Sequence, residues 1–316
     1  MTRIRLNTLT TVMLLCTTIA SAGGQEPASV SGLPADPATA VISTADVTLF
    51  WLAFDEWQTQ FHSAPEKLAG ILERDYLSRA SQGVQDFIPN RIISADAFAK
   101  RILEDPAYYR AVRANTLKLQ TFVPEIRQGF MRLQAMYPAA VFPPVYFVIG
   151  RRNSGGTDTE HALIIGAEMF ADSASRLHLS DVTSIVIHEL IHYQQQTHIQ
   201  DLTTSVMNEG AADFISELIT GRDIDEDTKA YGDSHEQALW TAFQHDARTN
   251  SFAPWLYNGT ATDRVGPPDL GYYLGYKVCQ SLYEISTDKA AALQSIIAMQ
   301  DPKAIIAQSQ YAQRFH

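Results

Sequence analysis

The run Ile187-His188-Glu189-Leu190-Ile191-His192-Tyr193 constrains this chain more than any other stretch. It sets an H-E-x-x-H pattern among the apolar residues Val182, Ile185, Val186, Ile187, Leu190 and Ile191, with Ser180 at the N-cap position and Asp181 in the first turn. These spacings predict a buried helix. Residues four apart share a helical face, so His188 and His192 can each place an imidazole nitrogen about 2 Å from one Zn²⁺. Glu189 is turned roughly 100° from His188, which suits a general base acting on water rather than a third ligand. A catalytic zinc site needs that third ligand from elsewhere.

Two residues compete for the position. Glu209, in Asn208-Glu209-Gly210-Ala211-Ala212-Asp213-Phe214, starts a second apolar-periodic segment through Ile215, Leu218 and Ile219. Asp213 lies one turn further on the same face and can accept the free ring N–H of a ligand histidine. The rival is His198, placed where H-E-x-x-H-x-x-G-x-x-H enzymes put a third histidine. The glycine of that pattern is Gln195 here, and the run Gln194 to Gln196 favours continuing the helix, which tilts the choice to Glu209.

The H-E-x-x-H and N-E-x-x-x-D pair resembles the gluzincin, or thermolysin-like, metallopeptidases. The resemblance implies His188, His192 and Glu209 as zinc ligands, Glu189 as general base and Asp213 as hydrogen-bond partner of His188. Sixteen residues separate His192 from Glu209, fewer than that group leads one to expect. From about Asp46 onward the chain also resembles a bacterial family of predicted zinc-dependent proteases allied to gliding-motility lipoprotein B. Residues 149–157, the zinc motif, residues 209–213 and residues 268–276 carry that likeness.

The first 22 residues read as a removable export signal: Arg3 and Arg5, an apolar core through Leu14, Leu15 and Ile19, and Ala20-Ser21-Ala22 as cleavage site. Localisation is therefore expected to be periplasmic or secreted. Cys16 follows Leu15, where lipidation would require a small residue. Without the signal, Cys279 is the sole cysteine, so stability must come from packing rather than from an internal disulfide. Formal net charge is −11, and −13 once Arg3 and Arg5 leave, which argues against nucleic acid or anionic lipid as partner. No stretch approaches the ~20 apolar residues of a membrane span, so no stable membrane insertion is expected.

Residues 23–42 read as a flexible leader, with Pro27, Pro34 and Pro37. Residues 43–140 carry helical signals, among them a capping box at Ser63-Ala64-Pro65-Glu66 and Asp105-Pro106 opening another helix. The stripe Phe50, Trp51, Phe54, Trp57 and Phe61 has the spacing of core packing. Residues 145–149 and 162–165 are strand-like and joined by a loop holding Asn153-Ser154-Gly155-Gly156-Thr157, read as a hairpin turn. By the gluzincin comparison, a small sheet precedes the zinc helix, and the strand near residues 162–167 is the edge on which an extended peptide lies. Helices are expected again near 234–248, 269–285 and 287–299, with a polar connection over 249–268. In that connection Asn258-Gly259-Thr260 matches a glycosylation sequon and is read as a turn. Gly271 and Gly275 suit close helix packing. The expected fold is α+β and mostly α, a zincin-like region over 141–316 forming one compact unit with 43–140.

The chemistry these residues imply is hydrolysis of a peptide or protein substrate with Zn²⁺ as cofactor. The thermolysin-like comparison adds a later donor for the oxyanion, for which Tyr272, Tyr276, His235 and Arg264 are the candidates. A different class of reading is a catalytically silent, exported zinc-binding accessory protein. The intact Glu189 argues against it, because a structural site has no use for a general base.

Overall fold

The computed structural model describes residues 34–61, 63–170, 178–197, 199–259 and 266–315. The export signal, the first half of the leader, His198 and Arg264 lie outside the described residues. The fold is α+β and mostly helical, with one small mixed sheet.

The N-terminal half is built from α1 (Ala45–Gln60), α2 (Leu68–Leu72), α3 (Gln82–Phe87), α4 (Ala95–Glu104), α5 (Pro106–Thr116) and α6 (Val123–Met136). The aromatic stripe of α1 is core: Phe50, Trp51, Phe54 and Trp57 are buried, with neighbouring ring centroids 4.8 to 5.8 Å apart. Asp105 caps α5 by accepting the Tyr108 N–H at 3.1 Å, and Pro106 fills the first helical position, where its missing N–H is not needed. The expected capping box at Ser63 is not what forms. Ala64 precedes a tight turn, Pro65–Lys67, that runs into α2 without a side-chain cap.

The sheet contains β1 (Ile42–Ser43), β2 (Val145–Val148), β3 (Gly156–Asp158) and β4 (Leu163–Gly166), in the spatial order β1-β2-β4-β3. β2 runs parallel to β1 and β4, while β3 is antiparallel to β4. β4 is buried along its length, as its unbroken apolar run requires of an interior strand. Two expectations are corrected here. The glycine loop is not a simple hairpin turn, because Gly156, Thr157 and Asp158 pair with Ile165, Ile164 and Leu163; the turn falls later, where Thr159 N–H reaches the Ala162 carbonyl at 2.9 Å. In consequence β4 is interior, and the edge beside the zinc-motif helix is β3. Tyr76 ties the helical half to the end of β2, its hydroxyl donating to the Ile149 carbonyl at 2.9 Å and accepting the Ile149 N–H at 3.1 Å.

The second half carries α7 (Val182–His192), α8 (Leu202–Thr220), α9 (Glu226–Thr249), α10 (Leu270–Ile285), α11 (Lys289–Ala298) and α12 (Pro302–Ser309). A tight turn, Leu179–Asp181, leads into α7, so the capping group is Asp181 rather than Ser180: its carboxylate accepts the His178 N–H at 2.8 Å. The glutamine run does not prolong α7. Gln194 turns its amide onto Val141 N–H (3.0 Å) and the Val141 and Leu190 carbonyls (2.9 and 3.0 Å), and so takes up the Leu190 carbonyl that a further helical N–H would use. α8 and α10 cross at glycine: a Cβ on Gly210 would stand 2.1 Å from Tyr276 N, and one on Gly275 2.0 Å from the Val206 carbonyl oxygen. Among the described residues no helix is long and apolar enough to cross a membrane.

Candidate metal centre

Two helices supply the cluster. α7 is apolar on nearly all sides and buried, and its two histidines face α8. Asp201 caps α8 by accepting the Thr204 N–H at 2.7 Å, which starts that helix two turns before Glu209 and sets Glu209 opposite the histidines. His188 Nε2 and His192 Nε2 lie 3.2 Å apart, and Glu209 Oε2 is 3.3 and 3.4 Å from them. Among the described residues, these three offer one ligand atom each, all within 4.8 Å of one another.

The remaining polar atoms of the cluster are directed by neighbours. His188 Nδ1 lies 2.7 Å from Asp213 Oδ1, which leaves Nε2 as the inward-facing nitrogen. His192 Nδ1 meets Gln195 Oε1 at 3.0 Å, and Gln195 is itself held by its amide N–H on the Asn208 carbonyl at 2.8 Å. Glu209 Oε1 accepts the Tyr257 hydroxyl at 3.0 Å, so Oε2 is the oxygen turned to the imidazoles. Sequence reasoning did not select Gln195 or Tyr257. Gln195 had a signal, since it lies three residues after His192 on the same face. Tyr257 had none, because the 249–268 connection has no periodicity.

Burial dominates the electrostatics. His188 and Glu189 are 0% exposed and Glu209 is 3% exposed. Burial opposes charge on His192, but the Glu209 carboxylate outweighs it and pushes the imidazole up to about 9. Burial likewise opposes charge on His188, which Asp213 and Glu209 nevertheless hold well above its usual range. Burial raises Glu209, yet the two imidazoles hold it well below the usual carboxylate range. Glu189 is raised, first by burial; the two imidazoles offset part of this and Asp158 adds to it. Glu209, Asp213 and Glu189 thus face two imidazoles; with both rings neutral a dication offsets two of the three negative charges, and the nitrogen and oxygen donors match zinc's preference. The donor set fits the metal.

Glu189 stands behind this cluster, against the edge strand. A Cβ on Gly156 would lie 2.4 Å from Glu189 Oε1, so the absence of a side chain at 156 is what admits the carboxylate. Tyr193 holds β3 in place by donating to the Ala162 carbonyl at 2.9 Å and to the Thr159 carbonyl. The two candidate tyrosines separate. Tyr272 stacks on the His188 ring at 6.0 Å and 14°. Tyr276, expected beside it, packs instead edge-on to Phe214 with the Lys229 ammonium over its face at 3.6 Å. The α8–α10 crossing explains the difference: Tyr276 N abuts Gly210, so its ring leaves past the crossing toward α9. His235 stacks on Tyr231 at 4.1 Å and is exposed. A cleft of about 350 Å³ opens onto the cluster, lined among others by Asp158, His192, Gln195, Asn208, Glu209 and Tyr257.

These features define a two-histidine, one-carboxylate centre with a buried glutamate beside a sheet edge. Residues 160–305 match the family described as Predicted Zn-dependent protease (DUF2268), which supports a zinc-protease family for this region. No curated protein and no solved structure matches the chain.

Proposed function

We propose that this protein is a zinc-dependent peptidase of the gluzincin kind, with His188, His192 and Glu209 as metal ligands and Glu189 as general base. The observation that carries the reading is the convergence of His188 Nε2, His192 Nε2 and Glu209 Oε2 next to a buried Glu189. Zinc, when bound there, makes a coordinated water acidic near neutral pH and polarises a carbonyl. Asp213 and Gln195 keep each imidazole turned so that Nε2 is the donor, and Tyr257 keeps Glu209 Oε2 facing inward. Glu189 accepts a proton on its carboxylate from the attacking water and returns it to the leaving amine nitrogen. Its raised pKa suits a group that must hold the proton between those events. We assign the donor to the developing oxyanion to Tyr272, a reading supported by the stacking of its ring on His188. The peptide substrate lies along the cleft, and export through residues 1–22 places the activity in the periplasm or outside the cell.

The test is metal content and peptide cleavage of the purified protein beside Glu189→Gln and Glu209→Ala. The reading requires about one zinc in the parent and in Glu189→Gln, its loss in Glu209→Ala, and chelator-sensitive cleavage in the parent alone. A zinc-loaded parent that cleaves no peptide refutes the peptidase and leaves a zinc-binding accessory protein.

A further inference from the structure

The edge strand brings into the cleft a carboxylate that the metal cluster does not use. Asp158 follows Gly156 by two residues, so both face the same side of β3, and that side is pressed against Glu189. It lines the cleft with His192, Asn208, Glu209 and Tyr257. Its main chain is paired with Leu163, and the following turn is clipped by Tyr193, so the side chain is presented from a held backbone. Among the described residues the Asp158 carboxylate makes no hydrogen bond or ion pair, and only its carbonyl oxygen meets a donor, the Thr157 hydroxyl at 3.5 Å. No lysine or arginine is among the described residues that line the cleft. A dication would offset two of the carboxylates at the cluster, and among the described residues that line the cleft no cationic side chain is left to match Asp158.

We propose that Asp158 selects peptides carrying a cation beside the bond to be cleaved, either an α-ammonium group or a lysine or arginine side chain. The proposal rests on the peptidase reading above. A bound ammonium or guanidinium group gives the carboxylate a charge-assisted hydrogen bond. An uncharged side chain of the same length covers it without a partner and costs it part of its hydration, so discrimination arises from both sides of the comparison. Gly156, two residues earlier on the same side of β3, abuts the Glu189 carboxylate, so a cation seated on Asp158 lies next to the proton-transfer group rather than in a remote subsite.

The experiment compares cleavage of matched peptides by the zinc-loaded full chain. One pair holds lysine or acetyl-lysine near the scissile bond, with the N-terminus blocked; a second pair has a free or an acetylated N-terminus and no internal cation. The first pair reads a side-chain cation and the second an α-ammonium. In at least one pair kcat/KM is expected to favour the cation about tenfold. Asp158→Asn should bring that ratio to within about twofold of unity, Asp158→Glu should restore much of it, and Asp158→Lys should reverse it toward a glutamate peptide. Ratios near one in both pairs for the parent, or a preference that survives in Asp158→Asn, overturn the proposal. Zinc content and circular dichroism of each variant separate a folding defect from a change of selectivity. If the parent cleaves no peptide, the peptidase reading fails. The same pairs are then titrated against zinc-loaded Glu189→Gln, where a tenfold difference in Kd that Asp158→Asn removes upholds the cation site and equal Kd values refute it.

Discussion

Gly156→Ala tests Glu189 as general base separately from metal binding. An added Cβ would stand 2.4 Å from Glu189 Oε1, 2.7 Å from its Cδ and 2.9 Å from its Cγ, where ordinary contact begins near 3.4 Å. The carboxylate must therefore withdraw by about 1 Å. It is 0% exposed, so it cannot do so by swinging into water. The φ angle at 156 lies outside the left-handed region, and alanine keeps the N–H and C=O that pair with β4. The strand accordingly survives while the base is displaced. A displacement of about 1 Å at a catalytic group costs about 10²-fold in rate. The assay is zinc content by atomic absorption beside kcat and KM on a quenched peptide. Zinc at the parent level with kcat lowered about 100-fold is the expected outcome. An unchanged kcat would show that Glu189 does not act from the place the structure gives it, and an equal loss of zinc would show that the edge strand supports the metal rather than the base.

Tyr257→Phe removes the hydroxyl on Glu209 Oε1 and should weaken zinc about 10- to 100-fold in a chelator competition; unchanged affinity refutes the assigned role of that hydrogen bond. Gly210→Ala places a Cβ 2.1 to 2.3 Å from the backbone of Gly275 and Tyr276, so the melting temperature should fall with about 2 kcal/mol of lost stability. Its control is Gly70→Ala in α2, where nothing lies within 4 Å and about 0.5 kcal/mol should be gained. Glu168→Gln tests a buried carboxyl that the proposed mechanism does not use: burial lifts Glu168 to about 7 from 4.5, against the Gly150, Glu168 and Arg152 N–H groups that favour its charge. The folded state holds that proton more tightly than the unfolded chain, so parent stability should fall as pH rises from about 4.5 to about 7 and then level off. The full change is about 3 kcal/mol. Urea melts of the glutamine variant should lack that slope, and an identical slope in both proteins refutes the assignment.

The candidate ligand cluster was legible because helical spacing is a local rule. His188 and His192 share a face by virtue of being four apart, and Glu209 and Asp213 repeat the device one helix later. The aromatic stripe of α1 and the glycine pair of α10 were legible for the same reason. What the sequence hid depends on pairing between distant segments. Gly155-Gly156 reads as turn punctuation until residues 156–158 are seen to pair antiparallel with β4, and with that pairing the sheet edge moves from the strand near residues 162–167 to residues 156–158. Tyr257 lies on an irregular stretch with φ of 58°, held by reciprocal contacts between Asn258 and Asp269: Asn258 N–H to Asp269 Oδ1 at 3.1 Å, and Asp269 N–H to Asn258 Oδ1 at 2.9 Å. The sequon asparagine is thus the clamp of the loop that delivers Tyr257 to Glu209, which no motif at that position announces. Tyr272 and Tyr276 are one helical turn apart, but the crossing with α8 falls between their rings, so one meets His188 and the other Phe214 and Lys229.

The α8–α10 crossing also bears on the metal centre. His188 is held on three sides: Asp213 and Glu209 from α8 take its two nitrogens, and Tyr272 from α10 covers its ring. These constraints agree only at one separation of the two helices, and the backbones are as near at Gly210 and Gly275 as glycine permits. A side chain larger than hydrogen at 210 therefore acts twice. It opens the core between α8 and α10, and it draws Tyr272 away from an imidazole whose other contacts stay on α8. The glycine after Glu209 bears on the candidate site through that distance, although it has no side chain to offer to it. The sequence Glu209-Gly210 then carries two requirements side by side: a carboxylate turned toward α7, and a bare backbone turned toward α10.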